Sequence, residues 1–383
     1  MSGTDVQSVS EMAHPAGSPF VQFVRHPMNW FLLFIPLTAL LEALHGIPAP
    51  VLFFSAALAI LPIAALIAAS TEQLSTRTGD AVGGLLNATF GNAPELIIAL
   101  VALKAGLLDM VRASLAGAIL ANLLMALGMA FLLGGLKFHE QRFNPAATRA
   151  YSTMMFVAAV SMTVPSAYSR AFGLNGPMRG EQMLNVGIAI LLLIAYGLYL
   201  LFSLKTHPHA FASVDTEGAA GDDPEEHWGV ARAVATLVIA SVLAAWMSEI
   251  LVGAAEGTGK ALGMSQVFIG IVFVAIVGGA AESGSAIAMG RKNKMDLAVG
   301  ICLGSCIQIA LFVAPILVIA SYLIAPQPLQ LAFGRAEIGA LFMAVLCGGL
   351  VCGDGQSNWY KGVQLMTVYA IIALMFYFIP ELK

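Results

Sequence analysis

The sequence Gly91-Asn92-Ala93-Pro94-Glu95 places a carboxylate inside an apolar run that extends from Ala81 to Leu103. The run is long enough to cross a bilayer, and a carboxylate in mid-membrane costs about 3 kcal/mol or more on insertion scales. Gly91 and Pro94 flank the acid and are expected to loosen the helix, which would free backbone carbonyls. Glu95 is therefore predicted to be a functional residue within a membrane span.

The composition indicates a polytopic α-helical membrane protein. Hydrophobic residues make up 59% of the 383 residues and charged residues only 10%, whereas a soluble domain carries about 25% charged residues. The net charge of −4 gives no indication of nucleic-acid binding. The sequence contains neither a phosphate-binding loop nor a zinc-protease motif. We therefore expect neither an ATP-driven pump nor an enzyme, and no cofactor.

Eleven membrane-spanning helices are predicted from the apolar runs. The predicted spans are 29–45, 50–70, 81–103, 109–135, 147–165, 184–204, 230–254, 266–289, 296–324, 336–352 and 361–380. Lys and Arg in the short loops favour an N-terminus in the cytoplasm. We expect a multi-pass protein of the cell inner, or plasma, membrane.

The two halves of the chain repeat one pattern at a fixed distance. Glu282 follows Glu95 by 187 residues and again stands in a glycine-containing apolar run, Gly278-Gly279-Ala280-Ala281. The same offset pairs Gly91 with Gly278, Ala93 with Ala280, Lys104 with Arg291, Asp109 with Asp296, and Gly117 with Gly304. Each half holds five spans, and because five is odd the second half enters from the opposite side. Inverted repeats are the architecture of secondary transporters, whose sites lie near the membrane midplane.

The predicted fold is therefore all-α, with two inverted five-helix repeats and one extra N-terminal helix. The predicted parts are a flexible tail (1–28), an extra transmembrane helix (29–45), the first five-helix repeat (50–204), an acidic cytosolic linker (205–229) and the second repeat (230–383).

Pseudo-two-fold symmetry is expected to bring Glu95 and Glu282 face to face. Two carboxylates match a divalent cation in charge and hardness, and calcium takes six to eight oxygen ligands. Further candidate ligands are Asn87, Asn92, Ser305 and Gln308, with Ser114 and Asn122 as additional polar residues. Gly117 and Gly304 are expected to let helices approach closely.

Two buried carboxylates cannot both stay charged when the cation is absent, so they are expected to take up protons. Competition between a divalent cation and protons for one pair of acids is the mechanism of an antiporter. Glu72 and Glu249, near span ends, are candidates for cation entry or proton relay. They are equally compatible with interfacial carboxylates that reach lipid head groups.

The stretch from Asn87 to Leu96 resembles the first signature of the calcium/proton exchangers, the CAX branch of the calcium/cation antiporter superfamily. Gly279-Ala280-Ala281-Glu282 resembles the second signature, and the residues from Lys292 to Phe312 resemble the family's second repeat. This resemblance implies an eleven-helix exchanger with an acidic linker on the cytosolic side. It places the family's cation-site glutamates at Glu95 and Glu282, supporting polar positions at Asn92, Ser305 and Gln308, and outlying acids at Glu72 and Glu249.

One position departs from the family pattern, because Gly279 stands where the family usually has Asn. The Gly-Thr-Ser-x-Pro-Glu pattern of sodium/calcium exchangers is absent, which favours protons over sodium as the counter-ion. The expected function is a secondary active Ca²⁺/H⁺ antiporter that exports Ca²⁺ from the cytosol by alternating access. Its partners would be Ca²⁺, H⁺ and the lipid bilayer.

Two alternatives stay open at this point. A sodium-coupled or broader divalent exchanger, Mn²⁺ included, would use the same carboxylates. A cation channel could use the two glutamates as a filter. The sequence leaves the oligomeric state open, a homo-oligomer included.

Overall fold

The computed structural model describes residues 27–44, 46–78, 83, 86–87, 89–172, 178–211 and 228–379. In these residues eight helices are long and apolar enough to cross a membrane, or nine when one bent pair counts as a span. The prediction of a helical, multi-pass membrane protein is confirmed. The predicted N-terminal tail lies outside the described residues except for residues 27 and 28, and residues 212–227 of the predicted acidic linker lie outside them as well.

The helices and strands are numbered in chain order. They are α1 (Met28–Ala43), α2 (Ala49–Thr78), α3 (Ala93–Lys104), α4 (Leu108–Phe138), β1 (Glu140–Arg142), α5 (Pro145–Phe172), α6 (Gly180–Thr206), α7 (Val230–Leu262), α8 (Gln266–Gly278), α9 (Ala280–Arg291), α10 (Met295–Ile324), α11 (Arg335–Cys352), β2 (Gln356–Asn358) and α12 (Trp359–Phe378). Each predicted span overlaps at least one of these helices. Because α1 is short and the third span is described only in part, the total of eleven stays a prediction.

Several helices extend beyond the apolar runs that predicted them. The seventh span was expected to end at 254, but α7 continues to Leu262, where Gly263 takes a φ of 66° and ends it. Glu256 and Lys260 pair across one turn of this extension at 2.7 Å. The sequence-based boundary followed apolarity, whereas the helix continues through polar residues that pair with one another.

The helix boundaries repeat at the offset found in the sequence. Residues 93–104 form α3 and residues 280–291 form α9, so both ends of the two helices differ by 187. The starts of α4 and α10 differ by the same number. Both helices contain a π-helical turn, Ala121–Ala126 in α4 and Ile309–Val313 in α10. The repeat is therefore structural as well as sequential.

A pseudo-two-fold axis passes between α4 and α10. The Cys306 thiol lies 3.5 Å from the carbonyl oxygen of Ile119, and these two residues are 187 positions apart. A residue that contacts its own repeat counterpart must lie beside the axis that relates the repeats. Both positions are buried, so the axis runs through the interior of the protein.

The helices that begin the two halves, α2 and α7, pack antiparallel. A Cβ atom at Gly257, near the end of α7, would lie 2.6 Å from the Cβ of Ala49, the first residue of α2. Near the other end of α2, the Gln73 side chain accepts a hydrogen bond of 3.0 Å from the Trp228 amide, just before α7. The two halves therefore enter the membrane-spanning bundle from opposite sides.

Two short strands join three interhelical connections on one side of the bundle, which we call the ribbon side. Strands β1 and β2 pair antiparallel, with Gln141 opposite Ser357. The buried Gln141 amide donates to the Gly290 carbonyl and to Asn293 Oδ1, both at 2.9 Å. The ribbon thereby fixes the end of α4 to the α9–α10 turn and to the α11–α12 connection. It was not predicted, because its strands are three residues long and distant in sequence.

Candidate functional site

Each of the two glutamates stands in the first turn of a helix that begins inside the membrane region. Helix α3 starts after Asn92 and carries Glu95 as its third residue. Helix α9 starts after Gly279, where the chain bends by 60°, and carries Glu282 as its third residue. The first backbone amides of a helix have no intrahelical acceptor and favour negative charge. The partial positive charge of each helix start therefore favours an ionised carboxylate at this position.

Pro94 has a different effect from the one expected. It is the second residue of α3, a position where a missing amide hydrogen costs nothing and where the fixed φ favours helix formation. The chain is non-helical at Gly91 and Asn92. Pro94 thus starts the second helix, and the loosening expected around it occurs before the proline.

Both carboxylates lie at the break between α8 and α9. Glu95 is 9% exposed, and neither of its carboxylate oxygens has a hydrogen-bond partner among the described residues. A Cβ atom at Gly278 would lie 3.0 Å from Glu95 Cγ, and one at Gly279 would lie 3.6 Å from Glu95 Oε1. Glu282 follows Gly279 by three residues. The glycines therefore allow Glu95 of the first half to reach the helix start that carries Glu282.

A chain of buried hydrogen bonds connects the two helix starts. The Ser305 hydroxyl donates to Asn92 Oδ1 at 3.0 Å and accepts from Asn122 Nδ2 at 2.8 Å. The same Asn122 nitrogen lies 3.5 Å from Glu282 Oε2, and Asn92 Nδ2 donates to Gln308 Oε1. Three of the predicted ligands, Asn92, Ser305 and Gln308, thus form one network.

The π-helical turns lie at the network. Asn122 is the second residue of the π turn in α4, and Gln308 immediately precedes the π turn in α10. Such turns interrupt the regular hydrogen-bond pattern and are frequent at functional sites. The side chains alone do not reveal the backbone pattern, so these turns could not be predicted from the sequence.

Asn122 is more central than the sequence indicated. It was named only as an additional polar residue, because the offset of 187 pairs it with Ile309, an apolar residue. The structure shows that it links Ser305 to Glu282. Its asymmetry is the reason that a repeat argument could not find it.

The remaining predicted ligand and the outlying acids lie outside this network. The Asn87 side chain is exposed, while its carbonyl accepts from the Gly91 amide at 2.8 Å. Glu72 and Glu249 are exposed, and Glu249 lies 3.7 Å from the Lys104 ammonium group. Ser114 donates to the Val111 carbonyl at 2.9 Å and, with Glu95, lines a cavity of about 10 Å³.

Close helix approach is observed at Gly117. A Cβ atom there would lie 2.2 Å from the carbonyl oxygen of Ile271 in α8. No described atom lies within 4 Å of a Cβ at Gly304, and the segment related to Ile271 by the repeat, around residue 84, is described only at isolated positions. The expectation for Gly304 therefore stays a prediction.

The site offers hard oxygen donors. Among the described residues no group of three or more His, Cys, Asp and Glu side chains is arranged to hold a metal ion. The donors here are two carboxylates, a hydroxyl and amide oxygens from both halves, a set that suits a hard divalent cation.

Comparison with known proteins agrees with this architecture. The family model described as "Sodium/calcium exchanger protein" matches residues 48–205 and 232–378. A Ca²⁺/H⁺ antiporter of Aphanothece halophytica is 40% identical over 362 residues, which cover 91% of this chain and 95% of that protein. The Ca²⁺/H⁺ antiporter ChaA of Bacillus subtilis (strain 168) is 40% identical over 344 residues, covering 90% and 96%.

A solved structure supports the fold directly. The structure of native YfkE superimposes with a TM-score of 0.78 at 37% sequence identity and covers 91% of this chain and 100% of that chain. The family match extends over both halves and includes α3, α8 and α9. They confirm the resemblance found in the sequence, and the chain belongs to the sodium/calcium exchanger protein family.

Proposed function

We propose that this protein is a secondary active antiporter that exports Ca²⁺ from the cytosol in exchange for protons. The observation that carries the proposal is the pair of carboxylates at two helix starts, one from each half, beside a network of hydroxyl and amide groups that links Asn92 at the first helix start to Glu282 at the second. Relatives that bear the name Ca²⁺/H⁺ antiporter align over nine-tenths of the chain, which supports the same ions here.

Glu95 and Glu282 are the residues assigned to Ca²⁺ and to protons. When Ca²⁺ is bound, both carboxylates are ionised and the cation balances their charge. When Ca²⁺ leaves, two charges in one buried site repel each other, and protons replace the cation. Asn92, Ser305 and Gln308 either contribute oxygen ligands to the cation or position the residues that bind it. Ca²⁺ and H⁺ are transported substrates, and no resident cofactor or enzymatic step is proposed.

Alternating access follows from the antiparallel halves. The site lies between two repeats that run in opposite directions, so a relative movement of the halves can expose it to either side in turn. The two proposed repeats comprise residues 50–204 and 230–383. Asn87 is not part of this proposal, since its side chain is exposed. Glu72 and Glu249 are proposed as entry or relay residues near the surface.

The orientation proposed is a cytoplasmic ribbon side and a cytoplasmic N-terminus in the cell inner membrane. The ribbon side carries Lys137, Arg142, Arg291 and Lys292 near the strands, and Lys and Arg in short loops favour the cytoplasmic side. The bacterial origin of the relative ChaA supports a plasma-membrane location.

The experiment is ⁴⁵Ca²⁺ uptake into proteoliposomes with an imposed pH gradient, for the wild type and Glu282→Gln. Uptake that follows the pH gradient and is lost in the variant is expected. Uptake driven only by a sodium gradient would replace protons by sodium as the counter-ion. Flux that persists without any gradient of the counter-ion, down the Ca²⁺ gradient alone, would indicate a channel.

A further inference from the structure

Five aromatic residues meet on the side of the bundle opposite the ribbon. Phe53 and Phe54 stand near the start of α2, Phe268 and Phe273 stand in α8, and Tyr377 stands at the end of α12. The ring centroid of Phe273 lies 6.2 Å from that of Phe53, 5.4 Å from that of Phe54 and 5.9 Å from that of Phe268. Tyr377 extends the group through a contact of 5.4 Å with Phe268. We call these five residues the aromatic cluster.

The course of the chain places the aromatic cluster between the site and the surface opposite the ribbon. Helix α9 leads from the break to the ribbon, where the Gly290 carbonyl accepts from Gln141, so α8 lies on the other side of the break. Phe273 precedes Gly278, the last residue of α8, by five positions, which is about 7.5 Å of helix. An ion that moves from Glu282 toward the side opposite the ribbon therefore approaches this cluster.

The rings fill the crossing of α2 with α8. Helix α2 contacts α3, α8 and α9, the three helices that meet at the site. Phe53 is fully buried, Phe54 and Phe273 are half-buried, and both α2 rings meet Phe273 edge to face, a favourable geometry for aromatic pairs. Apolar constrictions of this kind exclude water and thereby block ions.

The repeat-related residues on the ribbon side are smaller. The offset of 187 relates Phe273 to Leu86 and Phe268 to Ala81. The second half therefore contributes two aromatic rings where the first half contributes an aliphatic side chain and a methyl group. The barrier on the side opposite the ribbon is consequently the bulkier of the two.

We propose that the aromatic cluster is a hydrophobic gate, which closes the cation site toward the side opposite the ribbon. This inference rests on the proposed alternating access. The gate is closed in the conformation described here, so the site exchanges ions with the ribbon side. Release to the opposite side requires α2 and α8 to separate at Phe53, Phe54 and Phe273.

The test measures how fast a reporter cysteine behind the gate is labelled. The reporter is Ala275→Cys in the full-length protein, with the four native cysteines replaced by alanine. Ala275 is buried and lines the cavity beside Glu95. A membrane-impermeant methanethiosulfonate reagent is added to right-side-out and to inverted membrane vesicles. In right-side-out vesicles, we expect Phe53→Ala and Phe273→Ala each to raise the labelling rate about tenfold, the effect of removing one buried apolar side chain.

Phe131→Ala is the matched control, because it removes a buried ring that contacts Phe143 at 5.8 Å near the ribbon. It should leave the labelling rate in right-side-out vesicles unchanged, and an equal rise in this control would overturn the proposal. Unchanged rates in the gate variants would overturn it as well. Phe54→Ala removes a half-buried ring of the same cluster, so an unchanged rate in this variant decides against the gate even where a deeper substitution prevents folding.

The labelling rate does not depend on transport, which separates this proposal from the proposed function. A wild type that shows no gradient-driven ⁴⁵Ca²⁺ uptake would contradict the function and leave the gate standing. Labelling that rises only in inverted vesicles would support the gate and reverse the proposed orientation.

Discussion

The start of α3 and the start of α9 are the same structural element built twice, with different side chains. At α3, Asn92 is buried and connects to two residues of the opposite half. At α9, Gly279 has no side chain, and the nearby amide is that of Asn122, which comes from α4 and whose repeat counterpart, Ile309, is apolar. The comparison shows that the acids obey the symmetry of the repeat, while the groups that surround them do not.

The largest effect is expected when either carboxylate is removed. Comparison of the Glu95 and Glu282 variants tests whether the two acids are equivalent. Glu95→Gln removes half of the charge available to a divalent cation, and we expect a loss of at least about a hundredfold in transport because buried divalent sites depend on ligand charge. The measurement is gradient-driven ⁴⁵Ca²⁺ uptake. A Glu95→Gln protein that transports normally while Glu282→Gln does not would break the equivalence.

The next effect tests the difference at the helix starts. Asn92→Gly gives the first half the glycine of the second half and leaves the hydrogen-bonding groups of Ser305 and Gln308 without their partner. We expect the KM for Ca²⁺ to rise roughly 10- to 100-fold, the range for bonds next to charged groups. Uptake over a series of Ca²⁺ concentrations gives KM. A KM equal to that of the wild type would mean that the Asn92 amide contributes nothing to Ca²⁺ binding.

A third change concerns packing between the halves. Gly117→Ala would place a methyl group 2.2 Å from the Ile271 carbonyl oxygen, and overpacking of this kind costs about 1–3 kcal/mol. We expect a lower midpoint of thermal unfolding in detergent. Gly197→Ala is the control, since Gly197 is exposed and no described atom lies within 4 Å of its added methyl. Equal midpoints for both variants would contradict the close crossing.

The smallest effect is expected for Glu249, one of the two predicted acids outside the network, which lies at the surface. Glu249 and Lys104 are 59% and 71% exposed and 3.7 Å apart, and such pairs contribute about 0–1 kcal/mol. Glu249→Gln should leave stability unchanged and raise the KM for Ca²⁺ about two- to threefold at low salt, an effect that disappears at high salt. A salt-independent loss would assign Glu249 a direct role in relay.

The acids were predictable from the sequence because their placement violates a general rule. A carboxylate within an apolar membrane span is energetically costly and therefore indicates a functional site. A second carboxylate 187 residues later, in the repeat-related span, indicates the other half of the same site. Asn92, Ser305 and Gln308 followed from the resemblance and from their polarity in apolar helices. The structure places all three in one network.

Asn122, the ribbon and the π turns were harder to predict, each for a physical reason. Asn122 aligns with the apolar residue Ile309 in the other half, so comparison of the two repeats did not identify it as a site residue. The pairing of Gln141 with Ser357 joins residues more than 200 positions apart, and no local pattern encodes it. Packing at the helix crossing decides between α-type and π-type backbone hydrogen bonds. The same apolar side chains are compatible with both, so the sequence does not distinguish them.

The antiparallel packing of α2 and α7 also bears on how the protein is made. Arg77 stands in the last turn of α2 and Arg232 in the first turn of α7, and the Gln73–Trp228 hydrogen bond brings these two ends together. Basic residues near helix ends favour the cytoplasmic side, so we expect the two arginines to hold these two ends at one face of the membrane during insertion. Each half thus carries its own orientation signal. Because the two halves run in opposite directions, the basic residue lies at the end of the first helix in one half and at the start of the first helix in the other.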